Sequence, residues 1–258
     1  MNATKTELTV LRRYTGSSGC SRHARAAEEA WRSTRKLGSL LGDSEDLTRR
    51  KTLAAAALRR LWALWIRPQY VSDATRVRLY NCYVLPVLLY NCGTWALTPS
   101  ELSGLESFHR RQLRTVLNVR YPQRIGNATL YEICQERPLR RRITAARWHL
   151  FGHILRRPKI PAYTQMAAYF DPSSMDTWCG RPRTTLPVVL DADLVSSGYA
   201  YRLRTSHDLE QLRLLAQAKS KWKALERAIV AALPAKKDPT YADTTLCRRL
   251  AKLSLATA

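Results

Sequence analysis

The sequence predicts a mainly α fold, and three observations carry that expectation. Apolar residues recur at intervals of three and four along one segment after another, the period of a buried helix face. Capping residues stand where those segments open, and prolines stand where they close. Alternating or β-branched runs that would mark strands are few. Hydrophobic residues make up 45 % of the 258, enough for a packed core.

Leu8, Thr9, Val10 and Leu11 have β-type character suited to a short strand, but an unpaired strand is a liability, so the region is expected to be poorly ordered or helical. Gly16, Ser17, Ser18 and Gly19 then form a turn or link. Over residues 44–66 the pattern becomes helical: Ser44 is a candidate N-cap, and Ala54, Ala57, Leu58, Leu61 and Trp65 form a stripe. Arg49, Arg50, Lys51, Arg59 and Arg60 fall largely off that stripe, and Pro68 helps to end the helix. Ser72 or Asp73 caps the next helix, whose apolar face is Val77, Tyr80, Val84, Val87 and Leu88, with a kink expected at Pro86. Thr98, Pro99 and Glu101 combine an N-cap, a proline at the first helical position and a capping box. The helix they open turns Leu102, Leu105, Phe108 or His109, Leu113, Val116 and Leu117 inward and leaves Arg110, Arg111 and Arg114 mostly outside. Asn127 opens a short helix ending near Cys134.

After Pro138 comes a sharply amphipathic helix reaching about Arg156. Its stripe is Leu139, Ile143, Ala146, Leu150 and Ile154, with Arg140, Arg141, Arg147 and Arg156 mainly on other faces. Residues 171–187, with Pro172, Gly180, Pro182 and Pro187, have the composition of a linker. Helices follow over residues 188–195, 208–217 and 219–233, and Pro234 and Pro239 set off a short basic tail.

Lys and Arg total 43 against 20 Asp and Glu, a net charge of +23. So one-sided a surplus is self-repelling unless a polyanion lies alongside, and the common polyanion is nucleic acid. Six cysteines lie scattered without paired spacing, which predicts free thiols, and the longest apolar run, residues 84–90, is too short to span a bilayer. The expected location is nuclear or cytoplasmic rather than secreted.

Several of these residues, in this order, carry a resemblance. Asn2, Lys5, Thr6 and Glu7 are followed by Arg35, Lys36, Leu37, Gly38, Ser39 and Leu40. Then come Leu88, Leu89, Tyr90 and Trp95, with Leu113 and Arg114, Asn127 and Leu130, Arg140, Arg141 and Arg142 beyond them. Gly152 and His153, Gly180 to Arg183, and Lys221 with Trp222 complete the series. The series resembles the end of the palm and the thumb of reverse transcriptases of non-LTR (LINE-like) retrotransposons. The resemblance implies a palm remnant over 1–42, partly disordered, and a helical thumb-like bundle over 43–160. A Pro/Gly-rich linker over 161–190 and a C-terminal helical segment over 191–258 would follow. Asn2, Lys5 and Gly38 would be remnants of palm motifs, and the helical part would grip template RNA or the template–primer duplex.

Nucleotidyl transfer in that family needs two metal ions held by carboxylates from an early palm strand and an Asp-Asp turn. No adjacent pair of aspartates occurs in this sequence. Tyr241, Ala242 and Asp243 offer one carboxylate in a segment read as a loop. We therefore expect no catalysis and no cofactor, Mg²⁺ belonging only to the intact parent enzyme. A palm supplied in trans and a host RNA-associated assembly subunit remain the alternatives. The acidic groups Asp43 to Asp46 and Asp191 to Asp193 are read as helix N-termini, where the dipole favours negative charge. His149 and His153 have the spacing of a two-histidine metal face, but no third ligand is suggested nearby. The tryptophans are read as core, with Trp178 alone considered for base stacking. Phosphate contacts are assigned to Arg110, Arg111, Arg114, Arg140, Arg141 and Arg147.

Overall fold

A computed structural model describes residues 30–64, 71–170 and 184–233. Among them the protein is mainly helical, as the sequence predicts. A 3₁₀ turn at Ala30–Ser33 leads into β1 (Arg35–Lys36), which pairs antiparallel with β2 (Ser39–Leu40), Arg35 opposite Leu40 and Lys36 opposite Ser39. Leu37 and Gly38 make the two-residue turn with φ of 48° and 86°. Two successive left-handed residues match the twist of a tight hairpin, and glycine takes such a conformation without penalty. Helices follow: α1 (Asp43–Leu64), α2 (Asp73–Leu79), α3 (Leu85–Leu88), α4 (Pro99–Val116), α5 (Asn127–Ile133), α6 (Leu139–Leu155), α7 (Pro161–Tyr169), α8 (Leu186–Ser196), α9 (Ser206–Gln217) and α10 (Lys219–Ala232).

The local signals explain most boundaries. Ser72 accepts the Thr75 N–H at the start of α2, and Thr98 and Glu101 form the reciprocal capping box of α4. A second such box, Thr205 with Asp208, opens α9. The kink expected at Pro86 takes the form of a π-helical turn, Tyr80–Val84, between α2 and α3. Proline has no N–H to donate, and the widened turn lets the Leu85 N–H reach back to the Tyr80 carbonyl instead.

Two apolar clusters share α6. Leu139 and Ile143 belong to the first, with Leu58, Tyr80, Leu88, Trp95, Leu105, Leu113 and Leu130. Trp148, Phe151 and Leu155 belong to the second, with Leu190, Leu194, Leu212, Trp222 and Ile229. The division of the core thus falls inside one helix, not at the segment ends 160 or 190. Within 161–190, expected to be a linker, α7 forms: Pro161 sits at the first helical position and Met166 reaches the second cluster. Close approach makes two glycines necessary. A Cβ on Gly93 would lie 3.0 Å from the Ala146 carbonyl oxygen, and one on Gly152 would lie 2.1 Å from Trp222 Nε1.

The acidic residues act differently from the helix-end reading. Asp43, Glu45 and Asp46 do occupy the first turn of α1. There Asp46 also accepts hydrogen bonds from the Leu40 N–H (2.9 Å) and Trp95 Nε1 (3.1 Å), while Asp43 accepts from the Ala96 N–H (3.0 Å). One turn of helix thereby clamps the hairpin and the segment before α4. Asp191 and Asp193 sit at and just beyond the middle of α8 rather than at its N-terminus. Arg50, expected off the apolar stripe, is buried: it lies 3.5 Å from Asp46 and donates to the Gly38 carbonyl and the Ser39 hydroxyl. No described helix is long and apolar enough to cross a membrane.

Candidate nucleic-acid interface

Twelve arginines and four glutamates lie between Pro99 and Arg157. Seven of these arginines lie on two separate helices, α4 and α6; Glu106 brings the helices together. Its Oε2 stands 3.4 Å from Arg110 Nη1, one turn along α4. Its Oε1 accepts the backbone N–H of Arg140 at 3.2 Å, at the start of α6. Pro138 provides no side-chain cap for α6, and the first turn of that helix holds no acidic residue. Glu106 supplies from α4 the negative charge that the N-terminus of α6 favours. The consequence is geometric: the Arg110 guanidinium and the Arg140 backbone N–H meet at one carboxylate.

Around that junction the arginines divide by environment. Arg111 is exposed, and Arg140 and Arg141 are half-buried. Arg142 donates to Glu136, which also accepts from Asn81 Nδ2 at 2.6 Å. Arg114 Nη2 is committed to the Ile125 carbonyl (3.1 Å) and Asn127 Oδ1 (2.7 Å), so it ties α4 to the loop before α5. Arg110 also reaches Ser107 Oγ at 3.1 Å.

Arg147 does not belong to this surface. It is 4 % exposed, and its Nη1 pairs with Asp193 Oδ2 at 2.9 Å. Trp148 Nε1 bonds the same oxygen at 3.1 Å, and Arg147 Nη2 points at the Trp95 carbonyl at 3.5 Å. A single-stripe reading of α6 puts Arg147 in solvent. The helix is buried along two faces, and Arg147 lies where the second begins. A guanidinium so placed is a buried ion-pair partner, not a phosphate ligand.

Behind α4 lies a buried polar group that sequence reading did not identify. The Tyr80 hydroxyl donates to Gln112 Oε1 (3.0 Å) and contacts His109 Nδ1 (2.8 Å). With the phenol proton given to Gln112, His109 carries its own proton on Nδ1. Burial, and after it the positive charges of Arg142 and Arg110, hold the His109 imidazole down to about 3. The imidazole thus senses the same positive field that faces solvent on the other side. Burial also pushes the Tyr80 phenol up. The spacing of Tyr80, His109 and Gln112 in sequence holds no signal for this contact.

Of the palm-motif residues, Gly38 forms the hairpin turn, its carbonyl accepting from Arg49 (2.8 Å) and Arg50 (2.6 Å). Asn2 and Lys5 lie outside the described residues, as do residues 8–11, 16–19, Trp65, Trp178 and Tyr241. Trp95, Trp148 and Trp222 are core residues as expected. His149 and His153 are exposed on α6, and among the described residues no three potential ligands gather to hold a metal ion. Sequence reading passed over Arg120 and Arg124, exposed in the loop after α4, because a loop has no apolar stripe against which to place them. No protein-family model, curated protein or solved structure matches this chain.

Proposed function

We propose that this protein binds nucleic acid through the arginine-rich junction of α4 and α6, in the manner of a thumb segment of a non-LTR retrotransposon reverse transcriptase, and that it does so without catalysing nucleotidyl transfer. The observation that carries the reading is the Glu106 bridge, which joins the Arg110 guanidinium to the backbone N–H of Arg140 and so brings the arginine-bearing turns of α4 and α6, with Arg111 and Arg141 next in sequence, together. Two arginine-bearing helices joined in this way offer several cations to one stretch of phosphodiester backbone. Such contacts give affinity without base preference. The surplus of positive charge over the whole chain acts in the same direction by attracting the polyanion over distance.

Salt dependence tests the reading. With four to six phosphates engaged, log affinity for duplex DNA falls against log salt with a slope of roughly −3.6 to −5.4, at about 0.9 per phosphate. Replacing Arg111, Arg140 and Arg141 together by Gln flattens the slope by about 2 to 3 and leaves the helical circular-dichroism signal intact. A flat response in the parent protein, or a triple variant with an unaltered slope, removes the reading.

A further inference from the structure

Tyr121 leaves 87 % of its surface in solvent. It stands on the loop between α4 and α5, and that loop is anchored at both ends. Leu117 and Ile125 are buried on either side, the Val119 N–H returns to the Arg114 carbonyl (2.9 Å), and Arg114 grips Ile125 and Asn127. A further bond, Gln123 N–H to the Arg120 carbonyl at 2.8 Å, closes a turn with Tyr121 near its tip. The ring is therefore held outward by ordered backbone, and little freedom remains to be lost when something lies against it. Arg120 and Arg124, at the two ends of the turn, are exposed. No Asp or Glu occurs between Glu106 and Glu132, so the charged residues of the loop itself are all positive.

An exposed aromatic between cations fits one chemistry well. We propose that Tyr121 stacks on an unpaired nucleobase while Arg120 and Arg124 meet the phosphates flanking it, so that the protein prefers a junction of duplex and single strand to a blunt duplex. The proposal rests on the phosphate-binding reading above and adds a base-contacting position to it. Every base has a π face, and the preference is accordingly one of structure rather than sequence. An acidic protein partner also suits the charge, but nothing in the loop provides a groove for a polypeptide.

The test uses the full chain and two RNAs: a blunt duplex, and the same duplex with a single-stranded extension whose first unpaired base is 2-aminopurine. The extension tightens binding by about tenfold, the lower part of the range for one base on an aromatic ring, and the 2-aminopurine fluorescence is quenched in the complex. Tyr121→Ala lowers the ratio of the two affinities several-fold, leaving only what Arg120 and Arg124 draw from the added phosphates, and abolishes the quench; Tyr121→Trp retains both. An Ala variant that keeps the ratio and the quench overturns the proposal and directs attention to a protein partner for the ring. Equal affinities of the parent protein for the two RNAs overturn it as well. A parent protein that binds neither RNA removes the phosphate reading itself, a distinct outcome from loss of the ratio alone.

Discussion

Arg141 and Arg147 share a helix and differ in everything else. Arg141 is half-exposed, and no carboxylate among the described residues pairs with it, so Arg141→Gln reduces the salt slope of duplex binding by about 0.9 without lowering the melting temperature. Arg147→Gln leaves the half-buried Asp193 with Trp148 Nε1 but without its ion-pair partner, and costs about 3 kcal/mol of stability by the general penalty for breaking a buried pair. Its salt slope, measured below the melting transition, stays at the parent value. A reversed pattern in these two variants contradicts the burial of Arg147. His109 gives a prediction in pH. Its folded value near 3 lies below the ordinary 6.5, so the unfolded chain takes up the proton first. The stability contributed by the neutral imidazole is complete above about pH 6.5 and is lost as the pH falls toward 3, at up to about 1.4 kcal/mol per unit. Urea unfolding of the parent and of His109→Gln, at neutral pH and at about pH 5, separates this from the carboxylates. The parent loses more stability on acidification than the variant does.

At the scale of elements, α6 is the member on which the others depend. One face packs on the first cluster and the other on the second, and Gly152 permits the second contact by letting the nitrogen edge of the Trp222 indole come up to the backbone. Trp222 Nε1 donates to the Trp148 carbonyl at 3.2 Å, which fixes the indole in place. A methyl group at 152 meets that indole, so Gly152→Ala costs about 1 to 3 kcal/mol by overpacking, despite alanine's better helix propensity. Thermal melts of Gly152→Ala decide the matter, since an unchanged or raised melting temperature contradicts the α6–α10 packing. The α4 capping box is a smaller term: Thr98→Ala is expected to cost about 1 kcal/mol. These two elements were unequally legible. The Thr98 and Glu101 box is local, three residues apart, and its chemistry is the same in any context. The Gly152 contact joins positions 70 residues apart, and the resemblance pointed to both ends of it without saying that they touch.

For the whole molecule, the charge of +23 makes polyanion binding the dominant expectation, while nucleotidyl transfer requires an arrangement of carboxylates that we do not attribute to this chain. Purified protein with Mg²⁺ and a primed RNA or DNA template is accordingly expected to extend no primer. Extension that survives stringent purification and disappears in Asp243→Ala contradicts that expectation and makes the Tyr241 segment a catalytic one.

The sequence by itself determined the helical class, the caps of α2 and α4 and the sign of the net charge. These follow from interactions within a few residues or from composition, which folding does not alter. Tertiary structure decided which arginines face solvent, because α6 is covered on two sides and a single period cannot reveal the second. It decided that Glu106 unites two basic helices, that Asp193 neutralises Arg147, and that His109 is held neutral beside Tyr80. Each of these pairs polar groups 29 or more residues apart. Their partners are selected by the packing of helices around a shared core, and spacing along the chain carries no record of that choice.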